Sequence, residues 1–353
     1  MRSFVTGAGG FVGANLVREL VAQGHRVTAL VRKESDLRGL EGIDCELVEG
    51  DLLNPSGYEE ALRDCEWCFH VAASYHLWLR DYRPMYAANV EGTRLLLQSA
   101  SEAGCQRIVH TSTVGCIGLP ILRAGRFEPT DESAPVLEAQ LSNHYKRSKW
   151  EAEKIASERA TAGHPIVIVN PSTPIGPRDV KPTPTGKLIV DFLNREMPGY
   201  VDTGLNWVHV RDVVQGHILA AEKGKIGARY ILGNREGNLT MLAALRMLES
   251  LSGLPAPRLR VPYSVAWLAA VFDEGLSKIT RKPPKAPLAG VRMSKYRMWF
   301  DPSKAIEELG LPQTPVRTAF EDAVHWFERH GYVRSKVDPR GQSGDTTGGK
   351  KGG

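Results

Sequence analysis

Tyr145 and Lys149 stand four residues apart in Asn143 to Ala160, a stretch with the composition of a long polar helix. At that spacing both side chains emerge on one helix face. A cation beside a phenol favours phenolate and draws its pKa down from about 10 toward working pH. Such a phenol can give or take the proton on a substrate oxygen. The spacing alone is common in helices, so its meaning comes from what precedes it. A strand over Arg107 to Thr111 leads into Ser112 and Thr113, and the Thr113 hydroxyl could bond the same substrate oxygen and hold it in line.

Further upstream, Met1 to Lys33 reads as one βαβ unit. Ser3 to Thr6 is a short apolar strand, Gly7 to Gly13 a tight glycine turn, Phe11 to Ala22 an amphipathic helix, and Val27 to Val31 a second strand. Gly7 permits the sharp turn, Gly10 lets backbone approach a pyrophosphate, and Gly13 lets the helix pack closely on the sheet. Free N–H groups at the helix start, around Phe11 and Val12, and the helix dipole would meet the phosphates. The implied cofactor is NADP or NAD.

Strands follow at Ile43 to Val48, ending in Gly50-Asp51-Leu52, at Trp67 to Val71, ending in Ala72-Ala73, and at Pro165 to Val169, ending in Asn170-Pro171. The small residues at 72 and 73 leave room for an adenine or ribose. Helical stretches between the strands, among them Asn89 to Ala103, predict an α/β fold: a Rossmann-type, doubly wound parallel sheet. Pro171 to Pro184 holds five prolines and a glycine, which is loop chemistry. Beyond it, helices at Lys187–Arg195, Leu239–Leu251, Tyr263–Leu276 and Thr318–Arg329 predict a smaller, mainly helical substrate domain. The expected division is 1–170 for the dinucleotide domain, with returning segments near 205–232, then 171–333 for the substrate domain. Residues 334–353 read as a disordered tail rich in Gly, Ser, Thr and Lys.

The composition is that of a soluble globular protein, with 42% hydrophobic and 24% charged residues. A net charge of +5 does not argue for a nucleic-acid partner. Absence of a bilayer-length apolar run and of a leader before the first strand predicts a cytoplasmic protein. Cys65-Glu-Trp-Cys68 has no second pair to complete a metal site, so the expectation is one loop and one strand cysteine and no metal. The apolar stretch Val261 to Phe272, followed by Lys278, Arg281, Lys282 and Lys285, is read first as a domain-core helix with a solvated basic loop. A weak contact with an anionic membrane surface is the second reading.

In Thr6-Gly-Ala-Gly-Gly-Phe-Val-Gly13, Gly50-Asp51, Ala72-Ala73, Asn89, Thr111-Ser-Thr113, Tyr145-x-x-x-Lys149 and Pro171, the chain resembles the extended short-chain dehydrogenase/reductase family. The resemblance implies Thr113, Tyr145 and Lys149 as catalytic residues. It implies a cofactor site from Gly7, Gly10, Phe11, Val12, Asp51, Leu52, Ala72, Ala73, Asn89 and Pro171, shared by Tyr145 and Lys149. Thr113 rather than Ser112 lies five residues before a glycine, Gly118, as the family's hydroxyl residue does. A homodimer through the helices near Asn89–Ala103 and Asn143–Ala160 is also implied. Val169 to Gly186 and Tyr200 to His209 resemble the hopanoid-associated sugar epimerase branch, which is close to dihydroflavonol-4-reductases. The implied substrate is a small molecule, sugar-like or polycyclic and lipid-linked.

Two features point away from a nucleotide-sugar epimerase. Arg32 and Lys33 end the second strand where an acidic residue would hold an NAD ribose, which favours the 2′-phosphate of NADP. Leu205 stands four residues before His209, where such epimerases carry a pyrophosphate-binding arginine. His209 and Asp212 themselves read as a packing junction. Epimerisation is kept narrowly ahead of ketone reduction of the dihydroflavonol or steroid type. A non-enzymatic redox sensor is the remote third reading, because sensors of this fold commonly lose the Tyr/Lys pair and this chain keeps it.

Overall fold

Ile, Val and Phe dominate the strands of the first half, and Phe4, Val5, Phe69, Ile108, Val109 and Ile166 to Val169 have no exposed surface. A strand apolar on both faces requires helices on both sides of its sheet, which is the parallel arrangement. The computed structural model describes residues 1–334 except 121, 124 and 125, and it contains that sheet. The seven strands lie in the order Arg229–Leu232, Ile166–Pro171, Arg107–Thr111, Trp67–His70, Arg2–Thr6, Arg26–Val31, Glu46–Glu49. Each neighbouring pair is parallel. The chain winds outward from Arg2–Thr6 in one direction, then crosses to Trp67–His70 and winds the other way. The reversal opens a crevice at the C-terminal ends of these two strands, where α/β sheets bind ligands.

Two apolar layers hold the sheet. Leu16, Val17 and Leu20 of Phe11–Ala22 pack on one face with Val213 and Ile218 of Val210–Lys223. Leu96, Leu97 and Ala100 of Gly92–Glu102 pack on the other with Ala156 and Ala160 of His144–Thr161.

A smaller sheet follows. Gly204–His209 pairs with Thr173–Ile175 and Arg297–Met298 in parallel and with Asn238–Thr240 antiparallel. Helices Pro184–Leu193, Met241–Ser252 and Val316–Arg329 enclose its Trp207, which is fully buried 5.0 Å from the Phe320 ring. Between these parts, Val210–Lys223 lies on the main sheet and Arg229–Leu232 forms its edge. Two short helices, Leu288–Met293 and Ser303–Leu309, carry no signal strong enough to foresee from sequence.

The structure corrects one expectation. Tyr263–Thr280 forms a helix of 18 residues, but it is not a core helix: among its described side chains only Ala270 and Ser277 are buried. The neighbouring elements do not cover its apolar positions. No helix of the described residues is long and apolar enough to cross a membrane. The tail read as disordered lies, from residue 335 onward, outside the described residues.

Candidate active site

The glycine turn sits at the crevice. Gly7 has φ +72°, and a Cβ there would stand 2.6 Å from the Ala72 nitrogen. A Cβ on Gly13 would lie 2.1 Å from the Gly7 carbonyl oxygen. Neither position tolerates a side chain, so strand, turn and helix approach as closely as backbone allows. Helix Phe11–Ala22 starts at exposed Gly10 without a side-chain cap and without an acid in its first turn. Its first N–H groups have no intrahelical acceptor, and Phe11 and Val12 are half-buried beside them. A pyrophosphate fits this cradle.

At the second strand's end, Arg32 and Ser35 close a turn through two bonds of 2.9 Å, Arg32 N–H to Ser35 Oγ and Ser35 N–H to Arg32 O. Ser35 borders Gly9, where a Cβ would come 3.4 Å from the Ser35 Cβ. The turn therefore abuts the glycine loop and presents exposed Arg32 and Lys33. Of the two acids in this turn, Glu34 is exposed, and Asp36 is held by Arg38 at 2.6 Å, a bond that keeps the Asp36 carboxyl below the usual range. Asp51 is exposed and accepts from Leu53 N–H at 2.8 Å, while Leu52 packs on Gly92. Pro171 is buried at the end of its strand, opposite Leu232.

A hydrogen-bond chain ties the crevice to the helix carrying Tyr145. Ala72 N–H donates to Thr6 Oγ1 at 3.2 Å, which leaves the Thr6 proton for His70 Nδ1 at 2.9 Å. His70 Nε2–H then donates to Thr93 Oγ1 at 2.8 Å, and Thr93 donates to the Asn89 carbonyl at 2.6 Å. Asn89 lies in a π-helical turn, Ala87–Glu91, a distortion frequent at functional sites. Its side chain accepts from Ser74 N–H at 2.7 Å and donates to Ser74 O at 3.0 Å and to Ser148 Oγ at 2.9 Å. The loop beyond Ala72 and exposed Ala73 is thus fixed to the helix His144–Thr161.

That helix is capped by Asn143, whose Oδ1 accepts from Lys146 N–H at 2.8 Å. Lys149 is 2% exposed and donates to the Thr111 carbonyl at 2.7 Å. Thr113 is extended, and its hydroxyl accepts from Gly115 N–H at 3.1 Å. Asn170 Nδ2 holds the Thr113 carbonyl at 3.0 Å. Ser112 is buried and its hydroxyl has no partner, whereas Thr113 is half-buried. Thr113 Cγ2 and Lys146 Cγ both come 3.3 Å from a Cβ built on Gly115, so these two side chains flank that glycine. The Tyr145 ring meets Tyr75 edge-on, with centroids 4.3 Å apart.

One electrostatic expectation reverses. Burial pushes the Tyr145 phenol well above its ordinary range, with Tyr75 and Cys116 adding to the shift. Lys149 is turned to the Thr111 carbonyl, and burial draws its own pKa down to about 8. Desolvation is the largest cause, and it shifts Tyr145 toward the neutral phenol.

Tyr75, Ser148 and Lys146 also belong to this region, and the sequence analysis does not single them out. Lys146 is as buried as Lys149, and burial draws its pKa down to about 8 as well. A serine immediately before Lys149 was the available signal for Ser148. Tyr75 offered none, because its place depends on how a loop folds back. His209 donates from Nε2 to Asp322 at 2.9 Å, and Asp212 accepts from Thr314 N–H and Oγ1 at 2.7 and 2.6 Å. Both hold the junction between the sheets. Leu205 lies in the small sheet, and the neighbouring Arg297 is engaged by Asp202 at 2.6 Å and by the Thr203 carbonyl.

The comparisons agree with this geometry. A putative dihydroflavonol 4-reductase from Synechocystis sp. is 46% identical over 94% of this chain and 96% of its own length. Sterol demethylase protein B from Methylococcus capsulatus is 35% identical over 94% of this chain and 100% of its own. The crystal structure of PA4631, a nucleoside-diphosphate-sugar epimerase from Pseudomonas aeruginosa, superposes with a TM-score of 0.75 at 26% identity, covering 95% of this chain and 99% of that one. The NAD dependent epimerase/dehydratase family model matches residues 3–233, which takes in the glycine turn, Thr113, Tyr145 and Lys149. With a parallel seven-stranded sheet and that match, the chain belongs to the NAD dependent epimerase/dehydratase family and is an NAD(P)-dependent enzyme.

Proposed function

We propose that this enzyme reduces a ketone on a polycyclic substrate, with NADPH as the preferred cofactor. The observation that carries this reading is the absence of a pyrophosphate clamp where a sugar nucleotide would need one: Leu205 is apolar and Arg297 is already bound by Asp202 and Thr203. Two full-length relatives whose names refer to a dihydroflavonol and a sterol support it. Epimerisation of a hopanoid-associated sugar is the second reading, favoured by the loop run Val169 to Gly186.

Gly7, Gly10, Phe11 and Val12 would hold the pyrophosphate, Ala72, Ala73 and Asn89 would border the adenosine and ribose, and Asp51, Leu52 and Pro171 would close the site. When bound, the dinucleotide supplies the hydride. Tyr145, a neutral phenol, gives its proton to the substrate oxygen as charge grows there. Thr113 orients that oxygen, and Lys149 raises the local positive charge that stabilises the phenolate left behind. Arg32 and Lys33 would grip the 2′-phosphate, Arg32 bidentately. Residues 1–170, with Val210–Lys223 and Arg229–Leu232, form the dinucleotide domain in this reading. Residues 171–333 supply the substrate domain, and the helices near Asn89–Ala103 and Asn143–Ala160 pair in a homodimer.

The test offers purified enzyme NADPH and NADH with a panel of polycyclic ketones and, separately, nucleotide sugars. Stoichiometric NADPH oxidation with a ketone is the expected result. Arg32→Asp should then lower the preference for NADPH over NADH at least tenfold, as loss of a charge-assisted contact requires. A co-purifying nucleotide with interconversion of epimers and no net cofactor turnover would establish the second reading instead.

A further inference from the structure

Helix Tyr263–Thr280 carries an apolar stripe that nothing in the described chain covers. Val265, Leu268, Phe272, Leu276 and Ile279 recur at helical spacing, and Leu268, Phe272 and Ile279 are 62%, 75% and 81% exposed. Fourteen residues of rise make the stripe about 20 Å long. Trp267 and Val271 widen it, at 37% and 39% exposed. Scattered apolar residues on a surface need no explanation, but a contiguous face of this size marks an interaction site.

The flank is cationic. Arg281, Lys282 and Lys285 are exposed in the loop that ends the helix, and exposed Arg80 docks beside them by donating to the Arg281 carbonyl. The two acids of the helix, Asp273 and Glu274, are half-buried, and Asp273 already accepts from Ala286 N–H at 3.0 Å. A second copy paired through this face by a two-fold axis would bring the same patch and the same cations, with no exposed acid on either helix to meet them. An anionic lipid surface meets both features at once, because its acyl boundary takes the stripe and its headgroups take the cations.

We infer that Tyr263–Thr280 lies in the plane of an anionic bilayer surface, with Leu268, Phe272 and Ile279 in the acyl boundary and Arg281, Lys282 and Lys285 among the headgroups. The cationic loop and the helix after it rest on the loop that begins at Tyr75. Arg80 belongs to that loop, and Gly290, in the helix after the cationic loop, packs near Leu77. An apolar substrate dissolved in the same bilayer would reach the Tyr145 crevice along this wall. That corollary rests on the proposed function, whereas the membrane contact does not.

The test floats the full chain with vesicles of phosphatidylcholine, with and without phosphatidylglycerol, at low and high salt. Binding to the phosphatidylglycerol vesicles at low salt, weakened by salt, is expected. Leu268→Glu with Phe272→Glu should lower the bound-to-free ratio at least tenfold, because both charges would sit in the acyl boundary. Lys282→Ala with Lys285→Ala should lower it about tenfold or more. Unchanged NADPH affinity in both pairs shows that the fold and cofactor site persist. Failure to bind phosphatidylglycerol vesicles at low salt would overturn the proposal. Concentration-dependent self-association that Leu268→Glu with Phe272→Glu abolishes, in a chain that ignores vesicles, would assign the face to a second copy.

Discussion

His144–Thr161 and Tyr263–Thr280 are both helices of 18 residues. The first is rich in Lys, Arg, Glu and Ser, yet Lys146, Ser148, Lys149 and Glu153 are buried along with three alanines. The second is rich in Leu, Val and Ala, yet most of its described side chains are exposed. Position decides the difference. The polar helix packs on the sheet beside Gly92–Glu102, so the charges on its inner face are desolvated and must find partners: Lys149 takes the Thr111 carbonyl, and Glu153 takes Asn170 at 2.7 Å and Arg229 at 3.0 Å. The apolar helix has a neighbour on one side only. Chemistry collects where polar groups are buried, because burial displaces proton affinities furthest.

The sharpest test removes the phenol of Tyr145. Tyr145→Phe should lower kcat about a hundredfold or more while leaving cofactor affinity near wild type, since the ring stays and only the proton donor goes. Lys149→Met should weaken cofactor binding as well as rate. Steady-state kinetics and NADPH titration separate the two variants, and activity within a few-fold of wild type for Tyr145→Phe would remove the proposed role.

Acid should then distinguish the buried region from the exposed one. His70, His110 and His217 are buried, the first two near Lys149, and burial holds their imidazoles below the ordinary 6.5, His70 to about 3 and His217 to about 4. His217 is pinned as a neutral ring, donating from Nδ1 to the Val213 carbonyl and accepting from Thr111. Above pH 6.5 their contribution to stability is fully present. As pH falls from there toward 4, the unfolded chain binds protons that the folded one refuses, so stability falls by about 1.4 kcal/mol per pH unit for each histidine. Urea unfolding across this range should show that slope. His110→Phe should relieve one histidine's share, because both His110 nitrogens lack a partner and an apolar ring leaves nothing unpaired. A slope unchanged by that substitution would mean His110 takes up its proton while folded.

Much of this region was legible in the sequence. Phe11–Ala22 was placed to the residue, because a strand, a glycine turn and a periodic apolar face coincide there. The spacing of Tyr145 and Lys149 placed both on one helix. The Asn89–Ser148 contact was not legible, since it joins residues 59 apart through the packing of two helices and a π-turn. The direction of the Tyr145 shift is not legible for a related reason: spacing reveals the neighbouring cation but not the depth of burial. Tyr263–Thr280 shows the same limit from the other side. Periodicity says which residues are apolar, and only the fold says whether anything lies against them.

Within the scaffold the two helices should differ in tolerance. Ala156 has no exposed surface and faces the layer of Leu96 and Leu97. Ala156→Leu should overpack that layer and cost about 1–3 kcal/mol in urea unfolding. A change near zero would show slack between His144–Thr161 and Gly92–Glu102.

The smallest effect should come from the largest truncation. Phe272→Ser removes a whole ring, which in a core would cost about 3–5 kcal/mol. Phe272 is 75% exposed, so little of that ring is withdrawn from water on folding. Phenylalanine and serine also have similar helix propensities, so the backbone should not discriminate between them. The expected change in urea unfolding without lipid is within about 0.5 kcal/mol, as for surface positions generally. With anionic vesicles present, the same substitution should remove a measurable part of the wild-type protein's added stability, because a surface that binds only the folded chain stabilises it by mass action. A loss above about 1.5 kcal/mol without lipid would be too large for an exposed site. Phe272 would then be covered in solution, and the contrast between the two helices would fail at the point where it is widest.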